Sequence, residues 1–230
     1  MTTALRDQPT VWQRLTSSVC RRAFSSPEAL IYEIGIAPAV AGVVSPMVIP
    51  HLGGLRILDV GCGGGRIATD VADATASSVV GIDRSAAQAQ RVDRRSRKQP
   101  LLSSSQATVE DLPFRDRSFD AVYSSCALKH WPSPREGLAE CARVCRPGAP
   151  VVIVEIDGAS TPGEVRAFAR LTRVPLGLRE AYVRFAMRTV VGVAPDATAL
   201  TAMFDGMPTT PVSVEKVPTM PFLMARATVI

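Results

Sequence analysis

The amino-acid sequence predicts an α/β protein: a doubly wound, mostly parallel, seven-stranded sheet that ends in an antiparallel strand. Three observations carry this prediction. Short β-branched apolar runs alternate with helical stretches from residue 55 to residue 156. Most of these runs are apolar at successive positions, as strands covered on both faces are. Glycines cluster where the first run passes into a helix.

The elements follow in order. Ser26-Pro27-Glu28 reads as the cap, first-turn proline and first-turn acid of a helix. The most apolar stretch, residues 34–52, is broken by Pro38, Pro46 and Pro50 and is short for a bilayer span. A buried or lid-forming helical segment is expected there, with His51 at a helix end. Residues 55–60 form the first strand, 66–76 a helix, and 78–83 the second strand. Ser85 caps a polar helix reaching about residue 98. The third strand lies within 101–109 and the fourth at 119–124. A helix over 134–145 ends at Arg146-Pro147-Gly148, and 151–155 is the fifth strand. Residues 161–195 break into short, arginine-rich helical pieces. A helix at 197–204 and strands at 212–217 and 222–229 complete the chain, the last two pairing as an antiparallel hairpin.

Composition narrows the function. Aromatic residues are 5% of the 230, so the core is built from Val, Ile, Leu and Ala. A net charge of +5 is mild, short of the clustered charge of a dedicated nucleic-acid binder. The basic run at Arg91, Arg94, Arg95, Arg97 and Lys98 reads as a solvated helix face. Cys20, Cys62, Cys126, Cys141 and Cys145 contain no CxxC pair, and there are two histidines. No metal site is expected; the thiols read as reduced and buried in a cytoplasmic protein. Residues 1–20 lack the basic stretch and apolar run of a signal peptide. Abundant Ala, Arg, Val and Pro suit a GC-rich bacterial genome.

The chemistry starts at Asp59-Val60-Gly61-Cys62-Gly63-Gly64-Gly65. A tight turn between strand and helix must approach a ligand closely, and side chains at Gly61 and Gly63 would block it. Backbone N–H groups at the helix start favour a carboxylate or a phosphate. Asp83 ends the second strand about twenty residues on, where a nucleotide-binding βαβ unit holds an acid for the ribose hydroxyls. Its other reading is a cap for the helix at Ser85. Gly61, Gly63 and Gly65 alternate, and Arg66 stands where a dinucleotide site places its third glycine.

Residues 57–65 resemble the first motif of the class I S-adenosylmethionine-dependent methyltransferases, and Gly81-Ile82-Asp83-Arg84-Ser85 the second. Thr108-Val109-Glu110-Asp111-Leu112-Pro113-Phe114, followed by residues 118–122, resembles the third and fourth. Leu138-Ala139-Glu140, Arg143-Val144 and Arg146-Pro147-Gly148 match the helix and turn before the fifth strand. The combination is similar to the ubiquinone/menaquinone-biosynthesis-like, type 11 subgroup, over residues 55–156.

The resemblance implies a Rossmann-like fold and an enzyme that binds S-adenosylmethionine and releases S-adenosylhomocysteine. It implies roles by position. Asp59 orients the glycine loop and, through water, the cofactor's amino group. Gly61, Cys62 and Gly63 form the loop, and Gly61 and Gly63 contact the methionyl part through backbone. Asp83 holds the ribose and Arg84 lies beside the adenine. Thr108, Val109 and Glu110 line the adenine site, with the Val109 N–H on a ring nitrogen and Thr108 where many relatives carry Asp. Ser124 and Ser125 offer carbonyls to the methionyl ammonium. We expect one domain over 1–230: a helical lid at 26–52, a cofactor core at 53–157, a helical cap at 158–196, and a C-terminal helix and hairpin at 197–230.

The acceptor side offers Ala127-Leu128-Lys129-His130-Trp131-Pro132, at the carboxyl edge where open α/β sheets bind ligands. His130 could serve as general base and Lys129 could polarise an acceptor; the other reading has His130 and Trp131 packing the loop. The expected substrate is a small, hydrophobic molecule. The Asn/Asp-Pro-Pro-aromatic motif of amino-methylating enzymes is absent, and Cys126 lacks the preceding proline of cytosine-methylating enzymes. The rival readings are a nicotinamide-dependent reductase and a cofactor-binding module without productive catalysis. A reductase needs a TyrxxxLys-type donor, and Tyr123 has no lysine four residues later.

Overall fold

The computed structural model describes residues 26–230; Cys20 and the expected reading of residues 1–20 lie outside the described residues. Helices α1 (Ser26–Gly35) and α2 (Ala37–Val48) lead into β1 (Arg56–Val60), α3 (Arg66–Thr75), β2 (Ser78–Asp83) and α4 (Ala86–Ser96). Then come β3 (Leu102–Gln106), β4 (Ala121–Ser125), α5 (Pro134–Val144) and β5 (Pro150–Ile156). The chain ends with α6 (Pro162–Ala169), α7 (Arg179–Thr189), α8 (Ala197–Ala202), β6 (Ser213–Lys216) and β7 (Phe222–Thr228).

The strands form one seven-stranded sheet in the order β3-β2-β1-β4-β5-β7-β6. All neighbours are parallel up to β5; β7 pairs antiparallel with both β5 and β6, which makes the expected hairpin. The order reverses at β1, whose neighbours are β2 and β4, and ligands bind open sheets at such a switch point.

The pleat explains the two layers. Ile57 belongs to the buried cluster that α2, α3, α6 and α7 cover, while Leu58 belongs to the one under α5 and α8. The same alternation splits Val79 from Val80 and Val152 from Val151. Both edges depart from the apolar rule. The polar strands Leu-Ser-Ser-Ser-Gln of β3 and Ser-Val-Glu-Lys of β6 are largely open to solvent, because an edge strand is paired on one side alone. Beyond Gln106 the chain leaves the sheet, which frees residues 107–110 to turn toward the carboxyl ends of the strands.

The segment 34–52 is core. Ala37, Ala39, Val40, Ala41, Val44 and Val48 of α2 are buried, and Ser45 Oγ donates to Asp70 Oδ2 at 2.6 Å. Its apolarity is therefore largely a packing requirement, although Ile36, Ala37 and Val40 also face a cavity. His51 ends a 3₁₀ turn, as expected. Among the described residues no helix is long and apolar enough to cross a membrane, and no His/Cys/Asp/Glu group is placed to hold a metal. Cys141 and Cys145 are buried, Cys62 and Cys126 are half-buried, and all four are free thiols.

Candidate active site

One cavity of about 720 Å³ lies over the switch point at the carboxyl ends of the strands. Of the residues singled out from the sequence, Asp59, Gly61, Cys62, Gly63, Asp83, Arg84, Thr108, Val109 and Glu110 line it. So do Ser125, Lys129 and His130. Ser124 is the exception. It is fully buried within β4, its hydroxyl donates to the Val60 carbonyl at 2.7 Å, and the cavity begins one residue later.

The glycine loop is held by β2. The backbone N–H groups of Gly61 and Cys62 both donate to the Ile82 carbonyl at 2.9 Å. Asp83 completes the fastening: Oδ2 accepts from the Gly63 N–H at 3.0 Å and Oδ1 from the Ser85 N–H at 2.8 Å. This acid braces the start of α4, and its carboxylate still lines the cavity with spare lone pairs. Ser85 occupies the N-cap but makes no side-chain capping bond; Asp83 braces its N–H instead.

Two glycines serve different ends. Gly63 has φ +52°, and a Cβ there would meet only Gln88 Nε2, at 3.8 Å, so the bare backbone opens on the cavity. Gly61 has φ +74°, but a Cβ there would sit 2.4 Å from the Ala127 Cβ. The missing side chain at Gly61 makes room for the chain after β4, and the residue also lines the cavity.

Asp59 lies at the floor. Its Oδ2 accepts from the Tyr123 hydroxyl at 2.9 Å, while Oδ1 is buried without a partner. Burial pushes the Asp59 carboxyl up to about 7, and the nearby Asp83 charge adds to the rise. Burial also raises Asp83, against the pull of its two backbone N–H groups and Arg84. A cation beside these acids would favour their anionic forms. Tyr123 is fully buried, and its hydroxyl is committed to Asp59.

The site contains residues that gave no signal in the sequence. Glu33 on α1 pairs with Arg66 at 2.8 Å and with Arg95, and Arg95 Nε donates to the Gly64 carbonyl at 2.7 Å. Arg94, Arg97 and Lys98 are exposed, as a solvated face requires, but Arg95 turns inward to join α1 to the loop. Gln88, 1% exposed, faces the glycines. The far wall is apolar and aromatic: Ile36, Val40, Phe168, Tyr182, Phe185 and Val190. It comes from the two helical segments, 26–52 and 161–195, which flank the core in sequence and pack over the same face of the sheet.

The loop after β4 is locked by a buried ion pair. Lys129 Nζ donates to Glu155 Oε1 at 2.9 Å and to the Cys126 carbonyl; its backbone N–H donates to Glu155 Oε2 at 3.0 Å. The side chains are 5% and 0% exposed. His130 closes the 3₁₀ turn Leu128–His130, its N–H on the Ala127 carbonyl at 2.8 Å, and lines the cavity beside the buried Trp131.

The residues present fit S-adenosylmethionine. Asp59 Oδ1, Glu33 Oε2, Gln88 Oε1, Arg66 Nε and Arg84 Nη2 are all buried without partners, and all belong to residues lining the cavity. Buried polar groups are paired almost everywhere else in proteins, so this concentration marks where a polar ligand completes the bonding. Carboxylate, amide and guanidinium groups suit the ammonium, hydroxyls, ring nitrogens and carboxylate of an adenosyl amino acid.

Comparison with known proteins agrees. Residues 58–153 match the family described as methyltransferase domain. An O-methyltransferase of Aspergillus nomiae is 37% identical over 128 residues, 53% of this chain and 57% of that protein. The 27-O-demethylrifamycin SV methyltransferase of Amycolatopsis mediterranei is 32% identical over 129 residues, 55% of this chain and 47% of that protein. The chain thus spans about half the length of these curated relatives. Among solved structures, a SAM-dependent methyltransferase from Aquifex aeolicus superposes with a TM-score of 0.65 at 14% identity, over 90% of this chain and all of that one.

Proposed function

We propose that this chain is a class I S-adenosylmethionine-dependent methyltransferase that methylates a small, apolar molecule, a reading supported by the match of residues 58–153 to the methyltransferase-domain family and by the methyltransferase relatives. The observation that carries the reading is the two-sided cavity: one half is polar, with glycine backbone and unpaired carboxylate and amide groups, and the other is an apolar wall. Bound in the polar half, S-adenosylmethionine would supply an activated methyl group on a sulfonium sulfur.

The chain's own residues then bind, align and exclude water. The Gly61–Gly65 backbone and Ser125 hold the methionyl part; Asp59 and Asp83 serve as acceptors for its amine and the ribose hydroxyls. Arg84 and residues 108–110 flank the adenine. The 26–52 lid and 161–195 cap close over the acceptor, so that displacement at the methyl proceeds in line and away from water. His130 takes the acceptor's proton. Lys129, already committed to Glu155, positions this turn.

Two measurements test the reading. Calorimetry should show S-adenosylhomocysteine binding and no binding of NADH; tight NADH binding with no response to S-adenosylhomocysteine would end it. Incubation with S-adenosylmethionine and an extract of the source organism should give a product heavier by one methylene unit.

Asp83 offers a sharper check. Asp83→Ala removes a charged acceptor for ligand hydroxyls together with the acceptor that ties Gly63 to β2. The expected cost is about 2–3 kcal/mol, or roughly 30- to 150-fold in S-adenosylhomocysteine affinity. Calorimetry on the folded variant decides; an affinity within about three-fold of wild type would leave Asp83 as a fastener of the loop alone.

A further inference from the structure

The roof of the cavity is also where the molecule exposes its apolar side chains. On α1, Leu30, Ile31 and Ile34 are 47%, 72% and 52% exposed, on the helix face opposite Tyr32, Glu33 and Ile36, which line the cavity. Between α6 and α7, Leu171, Leu176 and Leu178 are 51%, 79% and 59% exposed. Phe185 on α7 is 60% exposed and also lines the cavity. The two segments meet: the Arg173 N–H donates to the Gly35 carbonyl at 3.0 Å. Elsewhere among the described residues, large exposed apolar side chains are scattered singly, at Leu55, Leu101 and Ile230. A concentration of this kind marks an interaction site; scattered residues do not.

Charge identifies the partner. Residues 161–195 hold six arginines and two glutamates, a surplus of four positive charges against +5 for the whole chain. Both acids are engaged, Glu164 with Lys216 at 2.9 Å and Glu180 with Arg166 at 2.6 Å. Arg170, Arg173, Arg184 and Arg188 are exposed.

We infer that this roof is a peripheral docking face for an anionic lipid bilayer, and that an amphiphilic acceptor enters the cavity from the membrane. Leucine and isoleucine tips set among guanidinium groups match an interfacial segment, whose apolar side enters the acyl boundary while arginines meet lipid phosphates. A protein-binding face is anchored by Trp, Tyr and Arg in well-packed pockets; of these the patch exposes only Arg among the described residues, and leucine, its main apolar residue, is under-represented among such anchors. The acceptor's lipid character rests on the methyltransferase reading; the docking itself does not.

The test uses the full chain and vesicles, without cofactor or turnover, so its failure is separate from a failure of the methyltransferase reading. Sedimentation with vesicles containing about 30% phosphatidylglycerol should carry the protein down, pure phosphatidylcholine should carry far less, and about 0.5 M salt should release it. Leu176→Asp with Leu178→Asp should lower the partition by about ten-fold or more, with melting temperature and S-adenosylhomocysteine affinity unchanged. Arg184→Gln with Arg188→Gln should reduce the salt-sensitive part. Absence of binding to anionic vesicles at low salt, or binding indifferent to the leucine pair, overturns the inference. So does a dimer in light scattering that the leucine variant converts to monomer while vesicles are ignored; the face would then join two copies of the chain.

Discussion

His130→Gln is expected to lower kcat by about 10²- to 10⁴-fold while leaving S-adenosylhomocysteine affinity nearly unchanged. The expectation starts from position. The 3₁₀ turn that follows β4 brings His130 to the cavity lining, next to Trp131 in the chain. The turn is held from below by Glu155, so the imidazole is carried on a fixed support. Methyl transfer to a phenol, enol or protonated amine requires loss of a proton, and a base already in place lowers that barrier. Glutamine keeps a similar volume and hydrogen-bonding capacity but does not titrate.

The competing role is packing against Trp131, which is 6% exposed. The two roles separate in one comparison: melting temperature against turnover per folded site, with the acceptor recovered from the extract experiment. A packing residue lowers the first and spares the second. Full turnover in a well-folded variant would remove His130 from the chemistry and leave alignment as the source of the rate.

The sheet could be read from the sequence because each parallel strand there is a local event. Residues 79–82 carry no polar side chain between Ser78 and Asp83, and the observed β2 runs from Ser78 to Asp83. The glycine loop and Asp83 were visible for the same reason: strand, turn and helix lie within thirty residues. The edge strand β3 was located only loosely, since three serines carry little β signal. What stayed hidden was non-local. Glu33 meets Arg66 and Arg95 across 33 and 62 positions, and in the sequence each looks like a solvated helix residue. Gln88 reads as polar surface until α4 is laid against the glycines. Tyr182 and Phe185 lie in a segment with no motif, where only packing decides which side faces the cavity. Glu155 did leave a trace: one acid near the end of an apolar strand demands a partner, and Lys129 supplies it.

That pair sets the largest expected loss of stability. Lys129→Met removes the ammonium while Glu155 stays fully buried, and breaking a buried pair from one side costs about 3–5 kcal/mol. For a chain of this size that is a fall in melting temperature of roughly 6–20 °C. The backbone N–H groups of Lys129 and Ile156 still reach the Glu155 carboxylate, at 3.0 and 2.7 Å, so the loss should fall toward the lower half of that range. The double variant Lys129→Met, Glu155→Leu should recover much of the loss, because the stranded charge is gone. Recovery of stability without recovery of turnover would show that the pair holds the turn that carries His130, rather than stability alone. The sequence also allowed Lys129 to polarise the acceptor directly. That role predicts a different pattern: the single variant would keep its melting temperature, lose kcat, and gain nothing from the second substitution. Thermal melts and turnover on the three variants therefore assign Lys129 either to the frame of the site or to its chemistry, and the 2.9 Å contact to a fully buried carboxylate places the expectation on the frame.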